Sequence, residues 1–556
     1  MDWFWLKDFL SREHKAEMCE WEKRKGNPIQ SLIEDGFVVS GRVSGAIFKG
    51  SDPNASVRFR EDDRVVLIPQ CRSGTLGEAL LKYNEQREHV EVVASLEDNA
   101  FKVSRRGQGE NEYDALMCPS KPLEDEYEAL GNVLSNCIEG ALPSWNELLA
   151  GDAGQKKILI DSEELFQKLS AINNDENDPV FLVQGPPGTG KTHLIGKLAN
   201  EWCRRGMSVL VSAFTNRAVD EMISKTVRTG GDDVVPIFRA GRQKICNELN
   251  QVAESKKVIP YPSGVIGTTL FKCATAAVEN SAARFDVAVI DESSQVKLPS
   301  LFAVAMLAKR VVVVGDHKQL PPVIVQDVAS RKEINEYRCS AFDYLEKKVP
   351  HYMMRETWRM NRNVCEFISR RYYDGDLTSN ASAANKIWSA GDGAQWTKPV
   401  PGVLSIEVER GDEPSDCSTR EAEIVADLIE KIEATHGEWL KASDGADPKT
   451  PPKDGVPYEV RYMISCLFRK QASIVRQAIR KRGIAHHLWH VDTVERNQGQ
   501  TASVAILCVG AASPETAGRD RRWSCDPRRW NVALSRGRFK AYVVASGEFS
   551  EFAVAE

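Results

Sequence analysis

No C-x-x-C pair occurs among the 13 cysteines, which are scattered from Cys19 to Cys525, so neither a zinc ribbon nor a disulfide-stapled secreted fold is encoded. The expected setting is a reducing one, cytoplasmic or nuclear. Long apolar runs are also missing. No stretch approaches the roughly 18 apolar residues that a membrane span requires, and no membrane partner is expected. The N-terminus, Met1-Asp2-Trp3-Phe4-Trp5-Leu6-Lys7-Asp8, lacks the apolar core of a signal peptide and, with its acids, the character of a transit peptide. A large excess of one charge is lacking: the formal net charge is only -6, so any affinity for nucleic acid must sit in local grooves. Repeats of solenoid length and strong low-complexity blocks are absent. What remains is a long chain of ordinary soluble composition, 556 residues with 42% hydrophobic and 27% charged, enough for several cores.

The pattern changes along the chain in five steps. Residues 1–26 read as an amphipathic helix carrying Trp3, Phe4, Phe9 and Trp21, aromatics that serve either core packing or docking of a protein partner. Residues 27–108 hold short β-like runs, including Val43 to Phe48, Ser56 to Arg60, Arg64 to Ile68, Val90 to Val93 and Phe101-Lys102-Val103. The turn residues between them make a small barrel the economical reading. Residues 109–150 read as a helical stalk. From about Asp152, buried β-branched strands alternate with helices, which implies mostly parallel sheets covered on both faces. One set, ending with Val311 to Val314, falls in residues 151–350. A second, with Tyr462 to Ser465, Val504 to Leu507 and Ala541 to Val544, falls in residues 351–556. Ligands bind at the strand ends of such sheets, so two similar lobes with a cleft between them are expected. The tracts Thr378 to Asn385 and Ala442 to Pro457 read as surface loops.

Between a strand and a helix lies Gly185-Pro186-Pro187-Gly188-Thr189-Gly190-Lys191-Thr192, a full phosphate-binding loop. Its glycines let backbone N–H groups wrap phosphates, and the helix N-terminus adds partial positive charge. Lys191 is expected on the β- and γ-phosphates of ATP and Thr192 on Mg²⁺. Asp291 ends the strand Val287-Ala288-Val289-Ile290 and fits the carboxylate of the Mg²⁺ site, and Glu292 beside it is placed to deprotonate the attacking water. A lone Asp-Glu pair would be solvated surface; the strand before it and the phosphate loop upstream give it meaning.

These motifs resemble superfamily 1 helicases, in the branch that holds the nonsense-mediated-decay RNA helicase and the 5′-to-3′ nuclease-helicases. The resemblance spans Gly185 to Arg538 and implies two tandem RecA-like lobes preceded by the barrel on its stalk. Asp291-Glu292-Ser293-Ser294-Gln295 corresponds to the family's D-E-A-S-Q, and Gly315 through Pro322 to G-D-x-x-Q-L-P-P, which makes Gln319 the γ-phosphate sensor. Ser212 through Asp220, with Thr215 and Asn216, and Gly267-Thr268-Thr269 are similar to the family's strand-binding loops; by themselves they are polar loops after strands. Such loops grip sugar-phosphate without reading bases. Thr357-Trp358-Arg359-Met360-Asn361 resembles Q-Y-R-M-H, implying Trp358 on the adenine and Arg359 on the γ-phosphate, the alternative for Trp358 being a buried core residue. Val491 through Thr501 resembles V-D-T-V-D-x-F-Q-G-x-E, implying a strand contact at Thr493 and a nucleotide contact at Gly499. Here Asn497 replaces the aromatic and Thr501 the ribose-binding glutamate. Arg529 through Arg538 resembles R-L-N-V-A-L-T-R-A-R, implying that Arg536 is an arginine finger, or else a basic surface residue. Gln167 stands where the family reads adenine, within what is equally an ordinary helix.

The function implied is ATP-dependent movement on single-stranded DNA or RNA, 5′-to-3′, with ATP and Mg²⁺. Two other classes stay open: an ATP-gated nucleic-acid clamp that unwinds little, and an NTPase switch subunit of a nuclease-containing complex. No P-D-x-E-x-K-like cluster or iron–sulfur cysteine set is visible, so no nuclease activity is expected of this chain itself.

Overall fold

The computed structural model describes residues 3–53, 59, 63–69, 74–83, 87–96, 99–104, 112–121, 124–150, 156–172, 178–231, 235–241, 245–246, 249–279, 284–325, 340–384, 403–409, 417–444, 460–511, 524–545 and 549. The chain divides into two compact units. One comprises Met1–Glu17, Leu123–Arg359 and Tyr372–Ala381; the other comprises Met18–Pro122, Met360–Arg371 and Ser382–Glu556. Among the described residues no helix is long and apolar enough to cross a membrane.

The barrel is present and closed. Its strands are β1 (Val39–Ser44), β2 (Ile47–Gly50), β3 (Arg64–Pro69), β4 (Glu88–Ser95), β5 (Ala100–Val103) and β6 (Tyr113–Pro119), in the order β1-β2-β5-β4-β3-β6. Alternation along β1 sends Val39, Gly41 and Val43 inward, and Phe48, Val65, Leu67, Val92, Phe101 and Met117 fill the interior. β6 closes the ring by pairing antiparallel with both β1 and β3, so the barrel runs past residue 108 into the stretch read as stalk. The sequence Tyr113-Asp114-Ala115-Leu116-Met117-Cys118-Pro119 has no β-branched residue, and burial overrides its weak propensity. The expected strand from Ser56 to Arg60 lies outside the described residues except for Phe59, a core ring. In space the barrel groups with the second sheet: Arg496 Nη2 donates to Phe59 O at 2.9 Å, and Arg469 Nη1 to Asp35 O at 3.3 Å.

The first unit is built on a nine-stranded, wholly parallel sheet. Its strands are β7 (Lys157–Ile160), β8 (Val180–Gln184), β9 (Val209–Ala213), β10 (Ile237–Ala240), β11 (Val252–Ser255), β12 (Val265–Thr269), β13 (Phe285–Ile290), β14 (Ala308–Gly315) and β15 (His351–Met354). Their order is β11-β10-β12-β9-β13-β14-β8-β15-β7. The helix Leu298–Leu307 is buried on every side, as a helix apolar all round must be. The stalk helices Glu124–Ile138 and Pro143–Ala150 pack Leu130, Val133, Leu134 and Trp145 into the same core. One boundary moves. β15 pairs in parallel with β7 and β8, so the first sheet continues beyond residue 350 and carries Thr357-Trp358-Arg359 with it.

The aromatics at the N-terminus serve the chain's own packing. In the helix Trp3–Lys25, Trp3 meets Phe302 edge-on at 4.6 Å and donates to Asn146 Oδ1 at 2.9 Å, while Trp21 packs on Phe37. Phe9 is buried and Phe4 is exposed. Glu13 of this helix is fully buried, accepting from Val325 N at 2.8 Å and facing Lys297 Nζ at 3.5 Å. Glu13→Ala removes the buried carboxylate that accepts from Val325 N and faces Lys297 and is expected to cost about 1–3 kcal/mol, read as a lower urea midpoint for the first unit. An unchanged midpoint would show that Glu13 carries no such load.

After β16 (Glu356–Thr357) and β17 (Thr378–Ser379), a short parallel pair where a loop was expected, comes the second sheet. It contains β18 (Val403–Glu407), β19 (Tyr462–Cys466), β20 (Trp489–Thr493), β21 (Ala502–Cys508) and β22 (Gly537–Ala545), all parallel, in the order β18-β22-β21-β19-β20. The tract from 445 to 457 lies outside the described residues.

Candidate active site

β8 delivers the chain to Gly185, and the loop ends at Gly190, which caps the helix Lys191–Arg204 with φ 84°. That left-handed conformation favours glycine. Gly188 is constrained twice: its φ is 75°, and a Cβ there would lie 2.4 Å from Arg359 Cβ and 2.6 Å from Thr357 Oγ1. The approach is close because β15 leads directly onto the loop. Thr357 Oγ1 donates to Pro187 O at 2.9 Å, and Trp358 N to Gly188 O at 2.8 Å. The structure thus seats Thr357-Trp358-Arg359 on the phosphate loop inside one unit. Trp358 is 55% exposed, which removes the core alternative and leaves a ring face open beside the loop. Within the loop, Thr189 is buried and donates to Pro186 O, and Lys191 Nζ donates to Gly185 O at 2.6 Å.

β13 and β14, neighbours in the sheet, bring in the acids and the sensor. Thr192 Oγ1 lies 3.3 Å from Asp291 Oδ2. Burial and then the Glu292 carboxylate push the Asp291 carboxyl up to about 7, against the pull of Lys191. Glu292 has φ 53°, a left-handed backbone that costs a non-glycine residue on the order of 1–3 kcal/mol and concentrates at functional sites. Gly185 N donates to Gly315 O at 2.9 Å, joining the phosphate loop to the sensor strand. Gln319 is buried, and its Nε2 donates to Asp316 Oδ2 at 2.8 Å. Asp316, also buried, takes further bonds from Gln184 Nε2 at 3.1 Å, Lys318 N at 3.2 Å and Tyr373 Oη at 2.6 Å.

The strand-loop candidates follow from β9 and β12, which pair in parallel. Thr215 caps the helix Asn216–Gly230, its Oγ1 accepting from Ala218 N at 3.2 Å. Asn216 Oδ1 accepts from Arg239 Nη2 at 2.6 Å; this arginine is fully buried and also pairs with Asp220 at 2.8 Å and donates to Gly267 O at 3.3 Å. Thr269 is half-buried at the strand end. Thr268 corrects the expectation: its side chain is fully buried and its hydroxyl turns to Ala240 O at 3.5 Å, so it offers no hydroxyl to a strand. Gln167 is exposed and bonds Glu163 of its own helix.

In the second unit, Arg536 is buried rather than on the surface. Its Nε donates to Val532 O at 2.7 Å and its Nη1 to Gln500 O at 3.2 Å. Thr493 ends β20 and is buried, and Gly499 lies in the turn before β21. Burial alone would raise the Asp492 carboxyl, but Arg496 and Arg476 hold it below its ordinary value. Asn497, in the aromatic's place, is fully buried and bonds Ile464 O and Ser465 Oγ, so the substitution becomes a polar staple between turn and strand.

Sequence reasoning missed Tyr373 and Arg239, whose types carry no motif signal outside this fold, and quoted Asp316 within its motif without giving it a role. It also passed over Phe214, 57% exposed at the end of β9 next to Thr215; a large aromatic directly after a buried strand was a readable sign.

Residues 168–325 and residues 337–548 each match a family described as an AAA domain. The chain is 25% identical over 412 residues to the DNA replication ATP-dependent helicase/nuclease JHS1 of Arabidopsis thaliana, covering 68% of this chain and 28% of that protein. It is 26% identical over 424 residues to the regulator of nonsense transcripts 1 homolog of Neurospora crassa, covering 68% of this chain and 37% of that protein. The chain therefore spans well under half the length of either relative. Among solved structures, arterivirus nonstructural protein 10, a helicase, aligns with a TM-score of 0.43 and 14% identity, covering 95% of this chain and 83% of that one.

Proposed function

We infer that this chain, which belongs to the superfamily 1 helicases, hydrolyses ATP to move along single-stranded nucleic acid, DNA or RNA, in the 5′-to-3′ direction. The observation that carries this reading is the convergence, at the strand ends of one parallel sheet, of the phosphate loop, the Asp291-Glu292 pair and the Asp316–Gln319 pair, with Thr357-Trp358-Arg359 seated on the loop.

The loop amides and Lys191 bind the phosphates, and Trp358 offers its open face to the base. Thr192 and Asp291 are two hard oxygen donors 3.3 Å apart, one of them a buried carboxylate of the kind a divalent cation stabilises. They fit Mg²⁺, which supplies charge neutralisation at the phosphates when bound. Glu292 takes the proton of the attacking water, Gln319 senses the γ-phosphate, and Arg359 and Arg536 supply positive charge to the transferring phosphoryl. Thr215, Asn216, Thr269 and the exposed ring of Phe214 line the strand side of the first unit, Phe214 as a platform on which any base stacks. Arg239 holds that loop in place. Thr493 is the corresponding contact in the second unit, next to Arg496, which ties it to the barrel.

A strand-displacement assay tests this reading. With ATP, a duplex bearing a 5′ single-stranded tail is expected to be separated, and one bearing only a 3′ tail to stay intact, on DNA, RNA or both. Strand-stimulated hydrolysis without displacement of any substrate would make the chain a clamp instead.

A further inference from the structure

The sensor's neighbourhood contains one residue that no helicase motif in the chain accounts for. Tyr373 is 1% exposed, and its hydroxyl donates to Asp316 Oδ2 at 2.6 Å, the same oxygen that accepts from Gln319 Nε2 at 2.8 Å. A hydrogen bond to a buried carboxylate is among the stronger ones a neutral side chain makes. The other oxygen of Asp316 is held by Gln184 Nε2 and Lys318 N, so the carboxylate is fixed at both ends.

We propose that Tyr373 is a positioning residue for the γ-phosphate sensor: through Asp316 it fixes which end of the Gln319 amide faces the nucleotide. This rests on the reading of Gln319 given above. An amide side chain can present nitrogen or oxygen, and a phosphate accepts only the N–H end. Asp316 settles the choice, because a flipped amide would set its oxygen against a carboxylate oxygen. One N–H of Nε2 goes to Asp316, and the second remains for the phosphate. Tyr373 settles the carboxylate in turn. Without its hydroxyl, Oδ2 keeps Gln319 alone, and the carboxylate is held only from its Oδ1 side by Gln184 and Lys318, so the direction in which Oδ2 presents Gln319 is less tightly set.

The placement of Tyr373 in the chain adds a consequence. The chain leaves the first unit after Arg359, contributes Met360–Arg371 to the second, and returns at Tyr372. The helix Arg362–Tyr372 ends one residue before Tyr373. The side chain that fixes the sensor is thus two peptide bonds from the residues grouped with the second unit.

The test compares wild type, Tyr373→Phe, Asp316→Asn and the double variant in the full chain. Affinities for a slowly hydrolysed ATP analogue and for ADP are measured by fluorescence titration, alongside strand-stimulated turnover and thermal unfolding. Tyr373→Phe is expected to narrow the preference for the ATP analogue over ADP by on the order of tenfold, with ADP affinity unchanged and turnover reduced at constant KM. In the Asp316→Asn background, Tyr373→Phe is expected to add nothing, since the two act as one unit. A variant that unfolds earlier but keeps the wild-type preference overturns the proposal and leaves the sensor reading intact, as does full additivity in the cycle. A wild type that does not discriminate the analogue from ADP overturns the sensor reading and this proposal together.

Discussion

Glu292→Gln binds ATP and fails to hydrolyse it, with kcat lower by about 10²–10⁴, the range a positioned general base contributes. The substitution keeps the size of the side chain and removes only its ability to take a proton. The left-handed backbone at φ 53° is set by the strand end and the turn after it, so the amide occupies the same place. Loss of the carboxylate also removes the larger of the two charges that, with burial, raise the Asp291 carboxyl. Asp291 therefore becomes a better anion, and nucleotide affinity is expected to stay level or rise. The check is single-turnover hydrolysis beside a binding titration. Wild-type turnover in this variant would take the base role away from Glu292.

Lys191→Ala loses both binding and turnover, by about 10²–10³ in kcat/KM if the lysine is treated as one preorganised charge on the reacting phosphate. Two effects add. The ammonium that reaches the phosphates is gone, and so is the positive charge that opposes the rise of the Asp291 carboxyl, which weakens the place for the divalent cation. The loop itself should survive: its fold rests on Thr189 to Pro186, Gly185 to Gly315 and Trp358 to Gly188, none of which uses the lysine. Affinity for single strands without nucleotide is expected to persist. The measurement pairs steady-state kinetics with strand binding; loss of strand binding along with hydrolysis would mean that the loop had collapsed rather than lost a charge.

How far the sequence carries this account depends on what kind of signal each element has. The phosphate loop and Asp291-Glu292 were legible because their function demands fixed residue types at fixed spacing between a β-branched strand and a helix. The parallel sheets were legible for a related reason: strands such as Val311 to Val314 are buried on both faces and read as continuous apolar runs. β6 and β15 were not, since Tyr113 to Pro119 and His351 to Met354 contain no β-branched residue and are held by neighbours distant in sequence. That one strand moved Trp358 and Arg359 into the first unit, beside the loop. The buried ends of Arg239, Asn497 and Tyr373 were invisible too, because a polar side chain in a sequence gives no sign of whether it will meet water or a carbonyl. Thr268 shows the same limit from the other side: a hydroxyl in a strand-binding motif faces Ala240 O.

The most direct test of the central claim is ATP hydrolysis by the purified chain as single-stranded oligonucleotide is added, DNA in one series and RNA in the other. The account predicts turnover that rises with strand concentration, saturates, depends on divalent cation, and is absent in Glu292→Gln. A rate that neither polymer changes would contradict it.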